Sequence, residues 1–324
     1  MTSRSYQTAV NPVRRALVIV GPTASGKTRV ALALAGILNG EILSADSRQM
    51  YKMMRIGTAQ PRAEELRTVP HHFISDRYPD QEMNAAEFGS EGRRIIDRIF
   101  AKGKIPIIAG GSGLYIQGLI DGFFEGPAPD GQYRKSLYNR IDREGAAVLL
   151  EELRCIDPVA AAGMLPSNTR RIVRALETHF LTGQPISVLQ QRRVEIHFSS
   201  VLVGIAWERK ALYDRINRRV EEMLEHGLVA EAQSLLAQGY NPQLKALQTV
   251  GYKEVFDHLS GRVGYDEMVE LIKRNTRRYA KRQLTWFRND DRIKWFPVAE
   301  ERELDAAAQE MAAYFLRHAS QEGF

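Results

Sequence analysis

The run Gly21-Pro22-Thr23-Ala24-Ser25-Gly26-Lys27-Thr28 fits the pattern G-x-x-x-x-G-K-[ST]. Its residue types suit one task, which is holding a chain of phosphates. The glycines let backbone N–H groups point inward at phosphate oxygens. Lys27 adds a positive charge, and the Thr28 hydroxyl can hold a Mg²⁺ ion that bridges the same oxygens. Such a loop binds a diphosphate as readily as a nucleotide, so it does not by itself specify nucleotide hydrolysis. The turn Gly110-Gly111-Ser112-Gly113 carries a hydroxyl where many P-loop ATPases carry a metal-holding aspartate. Asp46 is the remaining acid near the expected cleft. Beside a phosphate loop it can take a proton from an incoming nucleophile. A lone aspartate after a strand is about as often a helix cap or turn residue.

The elements that must position these residues are legible in the apolar pattern. Residues 16–20 read as a short buried strand that runs into the glycine loop, and an apolar helical stretch follows to Leu38. Residues 41–45, 105–109 and 200–206 read as three further strands, with Asp46 and Ser112 just past two of their ends. Apolar strands alternating with helices predict a parallel sheet covered on both faces, with ligands gathered beyond the carboxyl ends of the strands. The expected fold is therefore α/β, with a P-loop NTPase-like core. From Asp130 to Arg193 no strand pattern appears, and helix signals recur: Asp157-Pro158 as cap and first position, Asn168 as cap, Gly183 as terminator and Pro185 as a new start. This predicts an all-helical domain at 126–197, inserted between core segments 16–125 and 198–324. In the helix after Asn168, Ile172, Leu176 and Phe180 are expected on one apolar face and Arg170 and Arg174 on another.

At 324 residues the chain is long enough for a sizeable core and a second domain. No apolar run approaches the length of a membrane span, and residues 1–15 read as a disordered tail without a signal-peptide pattern. Cys155 is the only cysteine, so no internal disulfide can form, and no His/Cys cluster has zinc-site spacing. A reducing cytoplasm is the expected location. His71 and His72 lack partners for a metal site, so a structural role is expected.

The net charge of +6 suggests a polyanionic partner, and its distribution sharpens the suggestion. From Glu270 to Arg288 stand seven basic residues and one acid, a local excess equal to that of the whole chain. Wound as a helix, this stretch places Met268, Ile272, Tyr279 and Trp286 in one stripe, and Arg274, Arg277, Arg278, Lys281, Arg282 and Arg288 opposite. The stripe predicts packing anchors, and the opposite face predicts an anionic ligand. A basic helix can also be an ordinary solvated surface.

Taken in order, the motifs closely resemble those of the tRNA dimethylallyltransferases, also called tRNA isopentenyltransferases. The likeness runs from about Ala16 to Trp295. It covers the phosphate loop, Asp46-Ser47-Arg48-Gln49-Met50-Tyr51, Ile56-Gly57-Thr58-Ala59-Gln60-Pro61, Pro70-His71-His72, Gly110-Gly111-Ser112-Gly113-Leu114-Tyr115, residues 170–177, Val250-Gly251-Tyr252-Lys253-Glu254 and Lys281-Arg282-Gln283-Leu284-Thr285-Trp286-Phe287-Arg288. The resemblance implies a channel through the core. Dimethylallyl diphosphate enters on the phosphate-loop side, and a flipped adenine of the tRNA anticodon stem-loop enters from the other. By the same likeness Asp46 is the general base, Thr28 is the hydroxyl near Mg²⁺ and diphosphate, and Arg219 approaches that diphosphate. Also implied as tRNA contacts are Asp46-Ser47-Arg48-Gln49, Ser112, Arg134, Arg170-Arg171-Ile172-Val173-Arg174, Gln248-Thr249-Val250-Gly251-Tyr252-Lys253, and Lys281 through Arg288. A monomer suffices. Departures from the commonest pattern are Arg48 for an apolar residue, Gln60 for lysine and Ser112 for threonine.

Two other functions share some of these features. A P-loop kinase or prenyltransferase acting on a free adenine nucleotide leaves the helical insert and basic helix without a task. A non-catalytic RNA-binding protein does not explain intact Lys27 and Thr28.

Overall fold

In the computed structural model, the described residues are 14–320 apart from 125 and 193. Expectations for residues 1–13 lie outside them. The first strand, β1 (Arg15–Val20), begins one residue earlier than its apolar run. Arg15 is buried there because its guanidinium donates to Ser199 Oγ at 3.0 Å. The other strands are β2 (Gly40–Ala45), β3 (His71–His72), β4 (Ile105–Gly110), β5 (Ser199–Trp207) and β6 (Lys294–Val298). They form one sheet in the order β3-β2-β4-β1-β5-β6, with every pairing parallel. Leu17, Val18 and Ile19 are fully buried, as expected for a central strand covered on both faces.

The sheet order determines where a ligand can bind. β1 lies between β4 and β5, so the chain passes from β1 over β4 to β2 on one side and later from β4 over β1 to β5 on the other, and a crevice opens at the carboxyl end of β1. The phosphate loop starts there, and Asp46 and Ser112 follow the neighbouring strand ends. Helix Lys27–Leu38 and helix Leu304–Ser320 cover one face, where Val30, Leu34, Leu304, Ala308 and Met311 join the strand side chains in one core.

The described chain separates into two compact units, one running to Ile120 and resuming at His197, the other spanning Asp121–Ile196. The second unit is helical and has its own core, including Leu149, Leu153, Ile172 and Leu176. Its expected punctuation is largely present. Asp157 accepts a hydrogen bond from the Ala160 amide, and Gly183 ends helix Thr169–Thr182 with φ of 68°. Asn168 stands at the start of that helix, but its side chain accepts from the Leu165 amide instead of capping the helix. Phe180 departs from its expected buried face. It is 58% exposed and stacks on the Tyr133 ring at 3.9 Å. No described helix is long and apolar enough to cross a membrane.

Candidate active site

The phosphate loop joins β1 to helix Lys27–Leu38 through strained backbone. Gly26 has φ of 89° and Ala24 has φ of 62°, so both adopt the left-handed region. No side chain caps the helix start, leaving its first amides available to an anion. The loop is held from outside. Trp207 Nε1 donates to Ser25 O, Arg215 Nε donates to Ala24 O, and the Thr23 amide donates to Gln283 Oε1, each at 2.9 Å. Gln283 Nε2 also donates to Gly111 O at 2.9 Å, so one buried amide side chain links the loops after β1 and β4. Ser25 Oγ is buried without a partner among the described residues, an unused hydroxyl in a loop suited to oxygen-rich ligands.

Lys27 turns its ammonium onto Gly21 O and Pro22 O, at 3.0 and 2.7 Å. Burial lowers its pKa to about 7. The Asp46 charge opposes that fall and the Arg219 charge adds to it. Burial likewise lowers the pKa of Arg219, again opposed by Asp46. These three charges form one coupled group.

Two cavities meet at this group. The first, of about 400 Å³, is lined by Lys27, Thr28, Asp46, Arg215, Arg218 and Arg219 among others. The second, of about 290 Å³, is bounded by Arg48, Gly57, Thr249, Gly251, Tyr279 and Arg282 among others. Thr23, Asp46, Thr58 and Arg219 line both. Asp46 Oδ1 accepts the Arg48 amide at 2.9 Å, which fixes the carboxylate, and its other oxygen has no hydrogen bond among the described residues. The adjoining Ser47 amide donates to Ser112 Oγ at 3.0 Å. Arg215 and Arg218 were not singled out in the sequence. Their spacing with Arg219 on helix Arg209–Glu225, just after β5, is the signal that identifies them.

The expected RNA contacts divide into several groups. Asp46, Ser47, Arg48, Gln248, Thr249, Val250, Gly251 and Arg282 line the second cavity. Gln49 lines the first, and its amide is fixed by donating to Ala59 O and accepting from Ser44 Oγ, both at 2.9 Å. Lys253, Lys281, Thr285 and Arg288 are exposed, and Leu284 packs partly buried against the Ile216 and Ala280 cluster. Trp286 was expected as a packing anchor but is 44% exposed, because Ala280, Gln283 and Phe287 form the buried face at that end of helix Tyr265–Phe287. Tyr252, Gln283 and Phe287 are buried and offer no surface to RNA.

In the helical unit, Arg170 and Arg171 are exposed, whereas Ile172 and Val173 lie in its core and present no side chain to a ligand. Arg134 and Arg174 both pair with the fully buried Glu177 carboxylate, at 2.8 and 2.7 Å, and each keeps part of its side chain exposed. His71 and His72 have the expected structural roles, bonding Val69 O and the buried Glu41. Gln60 is a latch, donating to Gln49 O and Tyr51 O at 2.8 Å and accepting from Ser75. For a metal, the first cavity provides the Thr28 hydroxyl and the Asp46 carboxylate. No group of three or more His, Cys, Asp or Glu among the described residues makes a metal cage.

Known proteins resemble this chain over most of its length. The IPP transferase family model matches residues 49–290. The tRNA dimethylallyltransferase of Geobacillus kaustophilus is 44% identical over 92% of this chain and 95% of its own length. That of Geobacter sulfurreducens is 47% identical over 86% and 90%. Among solved structures, the Bacillus halodurans tRNA isopentenylpyrophosphate transferase superposes with a TM-score of 0.70 at 40% identity, covering 95% of this chain and 98% of that one. A eukaryotic dimethylallyltransferase acting on tRNA gives 0.79 at 26%, covering 95% and 81%. With relatives this similar spanning nearly its whole length, the chain belongs to the tRNA dimethylallyltransferase family of IPP transferases.

Proposed function

We propose that this transferase moves the dimethylallyl group of dimethylallyl diphosphate onto the exocyclic amine of the tRNA adenosine 3′-adjacent to the anticodon, releasing diphosphate. One observation carries the reading: Asp46 lies where two cavities share a wall, with the phosphate loop and five arginines on one and a mixed polar and apolar lining that includes Tyr279 and Arg282 on the other. Two substrates entering separately can meet at its carboxylate.

The chemistry requires these parts. The allylic C–O bond breaks as the diphosphate takes its electron pair, and Lys27, Arg215, Arg218, Arg219 and the loop amides stabilise that leaving charge. The adenine amine is a weak nucleophile because its electron pair is delocalised into the ring. As the N–C bond forms, the amine proton passes to Asp46 and restores neutrality at nitrogen. Mg²⁺ held by Thr28 and diphosphate oxygens fits the sparse donor set and would supply further countercharge on the leaving group. The target base must leave its stack to reach Asp46, which is easiest in an unpaired loop. A single chain carries the phosphate loop, Asp46 and Arg219, a set sufficient for a monomer to act, and tRNA as substrate agrees with a cytoplasmic location.

The test is single-turnover transfer from labelled dimethylallyl diphosphate to unmodified tRNA, with AMP as competitor substrate. Wild-type protein should label tRNA alone, and Asp46→Asn should slow the step about 10²- to 10⁴-fold while tRNA binding holds. Product on AMP, or a near wild-type rate for Asp46→Asn, defeats the reading.

A further inference from the structure

Glu231 lies in the first turn of helix Leu228–Ala237 and receives an unusual set of donors. Its Oε2 accepts the Arg55 and Ile56 amides at 2.7 and 2.9 Å, and its Oε1 accepts the Gly57 amide at 3.0 Å. The Tyr252 hydroxyl donates to that same Oε1. No Lys, Arg or His pairs with this carboxylate among the described residues. Three successive amides form a concave anion seat of the kind otherwise used for phosphate, here filled by the protein's own side chain.

The two segments joined in this way have a common role. Gly57 and Thr58 form part of the second cavity, and so do Gln248, Thr249, Val250 and Gly251, which lead directly into Tyr252. Gly57 lies against the Tyr252 ring so closely that a Cβ there would sit 2.5 Å from a ring carbon, so the two segments cannot move apart without losing that seat. Tyr252 is fully buried, and Glu254 fixes the same segment by accepting the Gly251 amide at 2.8 Å. Tyr252, which the family likeness marks as an RNA contact, thus presents its hydroxyl to a carboxylate and no surface to RNA.

We infer that Glu231 is a positioning residue for the nucleobase: by holding the Arg55–Gly57 amides and the Tyr252 hydroxyl on one carboxylate, it sets the spacing of the two walls that receive the extruded adenine beside Asp46. The inference rests on the function proposed above. It also makes a distinction that general stabilisation does not: Gly57 lines the second cavity and none of these groups lines the phosphate-loop cavity, which this segment reaches only from Thr58 onward, so the base side should respond far more than the diphosphate side.

The variants are Glu231→Gln, whose amide nitrogen meets backbone N–H groups, Tyr252→Phe, which removes one hydroxyl, and Glu231→Asp, which keeps the charge but shortens the reach. Kinetics are measured with an anticodon stem-loop RNA and with dimethylallyl diphosphate, each varied at saturating levels of the other. For Glu231→Gln, kcat/KM for RNA should fall about 10²-fold while KM for the diphosphate stays within about twofold. Glu231→Asp should recover part of the loss, and Tyr252→Phe should fall less than Glu231→Gln. Seating is read independently with 2-aminopurine at the target position, whose fluorescence on binding should be lower with the Gln variant than with wild type.

A parallel fall for both substrates, or RNA kinetics and fluorescence both unchanged in well-folded variants, overturns the inference. If Glu231→Gln unfolds, as read by thermal melting, the same comparison on Tyr252→Phe decides. Absence of RNA transfer by the wild-type protein would instead defeat the proposed function.

Discussion

Lys27 combines a structural observation with a titration that can be measured. Its ammonium is desolvated and bonded to two loop carbonyls, and its pKa lies near 7. A bound diphosphate places negative charge beside it and must raise that pKa, so binding above pH 7 requires uptake of a proton. The sign follows directly. Below about 7 the ammonium is already present and Lys27 adds no pH dependence of its own. Above it, affinity should fall by up to about tenfold per pH unit until the pKa of the complex is passed. Titration calorimetry of inorganic diphosphate in two buffers with different heats of ionisation counts the protons taken up. Lys27→Arg keeps its charge throughout this range and should leave only the proton exchange and slope that come from the diphosphate's own ionisation. Wild-type proton uptake and slope equal to those of Lys27→Arg would show that Lys27 remains charged without the ligand.

Among the elements, helix Tyr265–Phe287 does two jobs, and the residues that divide them were only partly legible. Its buried face runs through Met268, Ile272, Ala280, Gln283 and Phe287, while Arg278, Lys281 and the capping Arg288 are exposed and form no ion pair among the described residues. Replacing these three with glutamine should weaken tRNA binding with little change in transfer at saturation, and should reduce the slope of log K against log salt by up to about three. Binding isotherms at several salt concentrations measure this, and an unchanged slope would show that the face points into solvent only. The sequence marked the charges correctly but put Trp286 in the stripe, because an apolar ring and a polar Gln283 carry the opposite of their usual preferences here. Gln283 is buried to serve two loops, a tertiary need that no local period reveals. The same reason separates the strands. β1, β2, β4 and β5 are apolar runs and were readable, whereas β3 is two histidines and β6 contains Pro297, compositions that only a sheet edge accepts.

At the scale of the whole molecule, the sheet core and the helical unit keep separate hydrophobic clusters with no residue in common, so damage to one core should remain local. Leu176 is 2% exposed among Leu149, Leu153 and Ile172, next to the buried Glu177 that holds Arg134 and Arg174. Truncating it leaves a cavity expected to cost about 2–5 kcal/mol, a large share of what a small unit possesses. The phosphate-loop cavity draws every lining residue from the other unit, whereas the family likeness implies RNA contacts in the helical unit at Arg170 and Arg171, which are exposed. Leu176→Ala should therefore lower tRNA affinity and leave diphosphate affinity within about twofold. Hydrogen exchange gives the direct readout, since amides of helix Thr169–Thr182 should exchange faster while those of β1, β4 and β5 keep their protection. Strand amides that loosen in step with the helical ones would mean that the two cores unfold as one, and the insertion would then be part of the scaffold of the catalytic cleft.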